Sequence, residues 1–82
     1  MPRELLSMGG PSTLLVGIIY ALPAVIVRVS AVPLATGLID LSDDGVIFYS
    51  SGVAAGTASE FITAASFIKA TTAGAVVTIK RA

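Results

Sequence analysis

Eighty-two residues are enough for one small domain, which buries only about 60% of its extended-chain surface and is marginal when it stands alone. The chain has no Cys and no His, which excludes a disulfide framework and removes the usual ligands of zinc, haem and iron–sulfur sites. Five basic and five acidic residues cancel, leaving no concentrated basic footprint for nucleic acid, and with 55% hydrophobic against 12% charged residues the remaining route to stability is association.

Residues 1–13 read as an extended N-terminal arm. Arg3-Glu4-Leu5-Leu6 offers at most one helical turn, too short to persist alone, and Gly9-Gly10-Pro11-Ser12 is a cluster of breakers. Residues 14–82 then read as a single β domain. The apolar run from Leu14 to Val27 carries Pro23 and covers about 14 residues, short of the roughly 17–25 that a helical span requires. A membrane-associated protein held by residues 14–27 is the alternative reading of this run, and a helix over residues 14–29 is the structural alternative to strands.

β-branched residues dominate from Ile18 onward, which favours strands. Between Tyr20 and Ala31 the odd positions (Ala21, Pro23, Val25, Val27, Val29, Ala31) are all apolar and define a core face. Tyr20, Ile26, Arg28 and Ser30 share the mixed face. Pro23 places its part of this strand at an edge or bulge. Next, Leu38-Ile39-Asp40-Leu41 and Val46-Ile47-Phe48-Tyr49 flank Ser42-Asp43-Asp44-Gly45, a hairpin signal with Gly supplying positive φ at the turn end. Residues 51–66 are rich in Gly, Ala, Ser and Thr, and Gly52 and Gly56 argue for a loop. Thr57 with Glu60 forms a capping box for a helical turn, and residues 59–65 equally fit a strand. A second hairpin is expected from Phe67-Ile68-Lys69-Ala70 and residues 75–81 around Thr71-Thr72-Ala73-Gly74. Pairing these segments in succession predicts a mostly β fold: a small antiparallel β-sandwich or barrel-like meander of five or six short strands with an extended N-terminal arm.

No chemistry stands out. Asp40-x-Ser42-x-Asp44-Gly45 echoes the start of a calcium loop, but the twelfth position is Ser51 where a bidentate Glu is required, so Asp43 and Asp44 read as turn caps. Without His or Cys, the Ser residues lack the usual general base, and a Ser–Lys pair through Lys69 or Lys80 has no supporting motif. Gly9-Gly10-Pro11 does not join a strand to a helix and is no phosphate loop. The expectation is a protein with no catalytic, metal or cofactor site.

Phe48 and Tyr49 are neighbours on one expected strand and point to opposite faces, one toward the core and the other outward, where aromatics favour partner interfaces. Arg28 reads as a solvated strand charge or as a guard against edge-to-edge pairing. The candidate interface residues are Leu5, Leu6, Leu14, Tyr20, Arg28, Phe48, Tyr49 and Arg81.

The order Tyr20-Ala21-Leu22-Pro23-Ala24, Val27-Arg28-Val29, Leu41-Ser42-Asp43-Asp44-Gly45, Phe67-Ile68-Lys69-Ala70-Thr71 and Gly74-Ala75-Val76-Val77 resembles small β-rich virion proteins of tailed bacteriophages, of the head decoration or cement type. The likeness runs from Tyr20 to Arg81 and rests on order and spacing; the chain departs from it in having no Trp near the turn and in the unusually apolar character of residues 1–40. It implies a non-enzymatic structural protein on the capsid surface of a virion assembled in the host cytoplasm. Its implied partners are the major capsid protein at subunit boundaries and neighbouring copies of itself, as a homo-oligomer on the shell without direct nucleic-acid contact. A tail or fibre-associated subunit is the alternative within the same class.

Overall fold

The computed structural model describes residues 4–34 and 36–82; Met1, Pro2 and Arg3 of the expected arm lie outside the described residues, as does Ala35. In chain order the strands are β1 (Glu4–Leu5), β2 (Ser12–Leu14), β3 (Tyr20–Ala21), β4 (Val27–Pro33), β5 (Leu38–Ser42), β6 (Tyr49–Ser50), β7 (Ser59–Thr63), β8 (Phe67–Thr71) and β9 (Ala75–Arg81). No helix occurs among the described residues; residues 14–29 hold the end of β2, all of β3 and the start of β4 with turns and bends between, which replaces the helical alternative for them.

Period-two alternation builds the centre of the molecule. In β4, Val27, Val29, Ala31 and Pro33 are buried while Arg28 and Ser30 are half-buried and Val32 is exposed. In β9, Ala75, Val77 and Ile79 point inward and Val76 and Lys80 outward. The two strands pair antiparallel along their whole length, with Val29 opposite Ile79 and Ala31 opposite Val77. β2 flanks β9 and β7 flanks β4, giving a four-stranded sheet ordered β2-β9-β4-β7. The second sheet, ordered β1-β3-β8-β5-β6, is antiparallel except for the parallel β1–β3 pair. Its inward side chains include Tyr20, Ile39, Leu41, Ile68 and Ala70, and the two inner faces form one apolar core closed by Leu6, Leu14, Leu22, Val53 and Ala65. The fold is thus a small β-sandwich.

The connectivity differs from a meander. The chain changes sheet at every connection except β5 to β6, because each strand has one apolar face and the next segment finds its partner across the core. Three expectations are corrected. The anticipated strand over residues 20–31 breaks at residues 23–26 into β3 and β4, one in each sheet; Pro23, which lacks an N–H for a ladder, marks a bend rather than an edge or bulge. The C-terminal hairpin does not form, since β8 and β9 belong to different sheets. There Thr72 takes the positive φ (66°) and Gly74 serves close approach: a Cβ on it would lie 2.9 Å from the Leu14 carbonyl oxygen. The first hairpin does form, but Val46, Ile47 and Phe48 belong to its loop, and only Tyr49 and Ser50 return to pair with Leu41 and Asp40.

The described part of the arm is knitted to the body. Glu4 and Leu5 pair with Tyr20 and Ala21, the Leu6 N–H donates to the Ala21 carbonyl (3.0 Å), and the Gly9 N–H donates to the Ile79 carbonyl (2.7 Å). The arm therefore edges one sheet with β1 and the other with β2. Of the three readings of residues 51–66, the helical turn is not found: residues 51–58 are loop and turn, and Ser59–Thr63 is the strand β7.

Candidate interaction surfaces

The hairpin turn that holds the acidic cluster is closed by its own side chains. The Ser42 Oγ accepts the Gly45 N–H (2.8 Å) and donates to Asp44 Oδ1 (3.0 Å). Asp44 Oδ1 also accepts the N–H groups of Val46 (2.8 Å) and Ile47 (3.0 Å). These donors, Val46 first, then Ile47 and Ser42, hold the Asp44 carboxyl below the usual carboxylate range. Asp44 thus acts as the cap of a loop, and Gly45 has the positive φ (79°) that the turn demands. Asp40 stands on β5 opposite Lys69 of β8, separate from that loop network.

The eight candidate interface residues divide into two groups. Leu6, Leu14 and Tyr20 are core residues, which corrects their assignment to an outer surface. Tyr20 was placed on the mixed face, yet its ring is buried against the core and its hydroxyl accepts the Leu15 N–H (2.9 Å). The other five reach the surface. Leu5 is exposed on edge strand β1, Tyr49 on edge strand β6, and Arg81 at the end of β9. Phe48 is half-buried beneath Lys69, whose Nζ lies 4.2 Å from the ring centroid, so neither Phe48 nor Tyr49 is the core aromatic expected of that pair. Arg28 lies on β4, inside its sheet between β9 and β7, and so does not guard an edge. Its Nε lies 4.0 Å from Glu60 Oε1, and Ser30 Oγ donates to Glu60 Oε2 (2.9 Å).

The largest exposed apolar side chains gather at the two ends of the sandwich. One end is set by the start of β5 and β9 and the finish of β2, β4 and β8, where Gly17 donates to Ala70 and Leu34 to Gly74. Leu15, Val16, Leu34 and Val76 surround a groove of about 330 Å³ there. The opposite end collects the bend before β4 and the loop after β5, drawn together by the bonds from Leu22 to Ser66 and from Ser66 to Ser42. It presents Val25 (83% exposed), Ile26, Val46 (75%) and Ile47 (73%). None of these is among the candidate interface residues, and Val25, expected on the core face, is the most exposed of them. Their signal is an apolar pair next to a turn residue: Leu15-Val16 before Gly17, Val25-Ile26 two residues past Pro23, and Val46-Ile47 after Gly45.

The outer face of the four-stranded sheet changes character along its length. Thr13, Val76 and Val32 form a cross-strand row at the groove end, then Thr78, Ser30 and Glu60, then Lys80, Arg28 and Ile62. No helix among the described residues is long and apolar enough to cross a membrane. Comparison with known protein families, curated proteins and solved structures gives no match.

Proposed function

We propose that this chain is a non-enzymatic structural protein of a virion that decorates or cements the capsid by binding the major capsid protein at subunit boundaries. The observation that carries the reading is the pair of apolar ends. Water-exposed Leu, Val and Ile side chains are unremarkable singly, but clusters at opposite ends of a body this small mark surfaces that partners cover. A body with a binding surface at each end is suited to joining two neighbouring subunits, and the absence of net charge favours packing into a dense shell. The absence of helix among the described residues adds support, since the proteins that the sequence resembles are β-rich.

The test is to quantify the chain in purified particles of the encoding phage and to add it back to emptied heads that lack it. Expected outcomes are a defined copy number per head, cosedimentation with heads, and heads that resist heating better once it binds. Leu34→Asp and Ile47→Asp, one at each end, should each lose that protection while the isolated chain stays folded, since both residues are more than half exposed. Absence of the chain from particles, or failure to bind heads, overturns the reading. Recovery with tails alone moves it to the tail or fibre alternative.

A further inference from the structure

Of the four sheet edges among the described residues, three are short: β1 and β6 have two residues each and β2 has three. The fourth, β7, offers five residues, Ser59-Glu60-Phe61-Ile62-Thr63, and is paired on one side only, with β4. Its one device against further pairing is the charge of Glu60; it has no Pro, no Lys and no bulge in its register with β4.

We infer that β7 is the self-association edge of this protein, pairing antiparallel with β7 of a second copy across a two-fold axis to join two sheets into one of eight strands. Closed symmetry requires the antiparallel arrangement, and the sequence selects the register. Directly opposed residues must share a face, so Glu60 can meet Glu60, Ile62 can meet Ile62, or Glu60 can meet Ile62. The first register opposes two carboxylates. The second shifts the strands apart and leaves Ser59 and Glu60 beyond the partner strand. The third keeps all five residues of each strand paired, with Phe61 at the axis.

That third register is also complementary in charge. Within each copy Arg28 lies opposite Ile62 and Lys80 lies opposite Arg28, so the row ending at Ile62 on the edge carries two basic residues behind it. Across the axis the row continues into Glu60 of the partner subunit, and the two-fold repeats the arrangement in reverse. On the inner face, Phe61 is half-buried against the core at the rim of the sandwich, and its counterpart extends that core across the axis. Ile62, 59% exposed, gains cover from the neighbouring strand. The ladder is short, so the dimer is a reversible one that forms at roughly 100 μM and dissociates on dilution. This inference does not depend on the virion reading.

Sedimentation equilibrium of the full chain from roughly 10 to 500 μM tests it. Wild type should pass from monomer to dimer over that range. Ile62→Glu sets a carboxylate opposite Glu60 of the partner at both symmetric positions and should weaken dimerisation roughly tenfold or more. In the isolated subunit it faces Arg28, so its circular dichroism should remain that of the wild type. Adding Glu60→Lys to Ile62→Glu opposes unlike charges across the axis and should restore the dimer. Because the chain has no other Cys, Phe61→Cys should yield a disulfide-linked dimer on mild oxidation, whereas Lys80→Cys should not. A chain that stays monomeric at the highest concentration, a dimer indifferent to Ile62→Glu, or a double variant that fails to recover overturns the inference.

Discussion

The four-stranded sheet is carried by two seven-residue strands, β4 and β9, paired without interruption, whereas no strand of the five-stranded sheet exceeds five residues and both of its edges have two. The first is held by cross-strand apolar pairs such as Val29 with Ile79. The second depends in addition on bonds from the chain between strands: Leu22 to Ser66, Ser66 to Ser42, Ser51 to Ile39 and Gly17 to Ala70. Two sheets can therefore share one core while the one with shorter strands relies more on its connections.

Replacing Ile79 by Ala probes the packed sheet and carries the largest expected effect. The side chain is fully buried opposite Val29, so the loss should be about 2–5 kcal/mol in urea unfolding, a large part of the roughly 5–15 kcal/mol that stabilises an ordinary domain. Tyr49→Ala, at the 46% exposed edge of the other sheet, should cost less than about 0.5 kcal/mol. Equal losses at the two sites would remove the distinction between the sheets.

Leu6→Ala asks whether the arm belongs to the body. Leu6 is 6% exposed and contributes to the core between the two strands that the arm donates, one to each sheet. The expected loss is about 2 kcal/mol, at the low end for a buried Leu because the arm can relax around the gap. Leu5→Ala, at a 69% exposed neighbour, should be close to neutral. A Leu6→Ala variant as stable as wild type would mean that residues 4–10 do not contribute to the fold.

The same contrast explains what could be read in advance. Residues 27–31 were legible because alternation is a local property and one face of β4 is buried throughout. The turn at Ser42-Asp43-Asp44-Gly45 was legible because side-chain capping and a positive-φ Gly act within a few residues. Pairing partners were not. Apolar faces in β8 and β9 show that each strand covers a core without showing from which side, and Thr71-Thr72-Ala73-Gly74 serves a crossing between sheets as well as a hairpin. Tyr20 was misplaced because the bend at residues 23–26 cuts the alternation and gives β3 a phase of its own. The apolar ends are hidden in the sequence because Val25, Ile26, Val46 and Ile47 read as strand residues there, whereas they lie in a bend and a loop.

Acid should loosen the loop capped by Asp44, and this is the smallest effect expected. The Asp44 carboxyl is more acidic in the folded protein than in the unfolded chain, because its ionised form accepts the Val46 and Ile47 N–H groups and the Ser42 hydroxyl. Unfolded chain therefore binds this proton more readily, and the stabilisation is complete above the ordinary Asp value of about 3.9. It fades as pH falls through the lower folded value. Between pH 7 and 5 the Val46 and Ile47 amide resonances should stay fixed; below about pH 4 they should drift and their hydrogen exchange should quicken relative to β4 and β9 amides. Asp44→Asn keeps a side-chain carbonyl to accept both N–H groups but has nothing to titrate, so its loop amides should hold position at low pH. The difference between the two proteins isolates this carboxyl from everything else that acid changes. An identical drift in Asp44→Asn would place the sensitivity elsewhere and leave Asp44 as a cap whose charge contributes nothing to the turn.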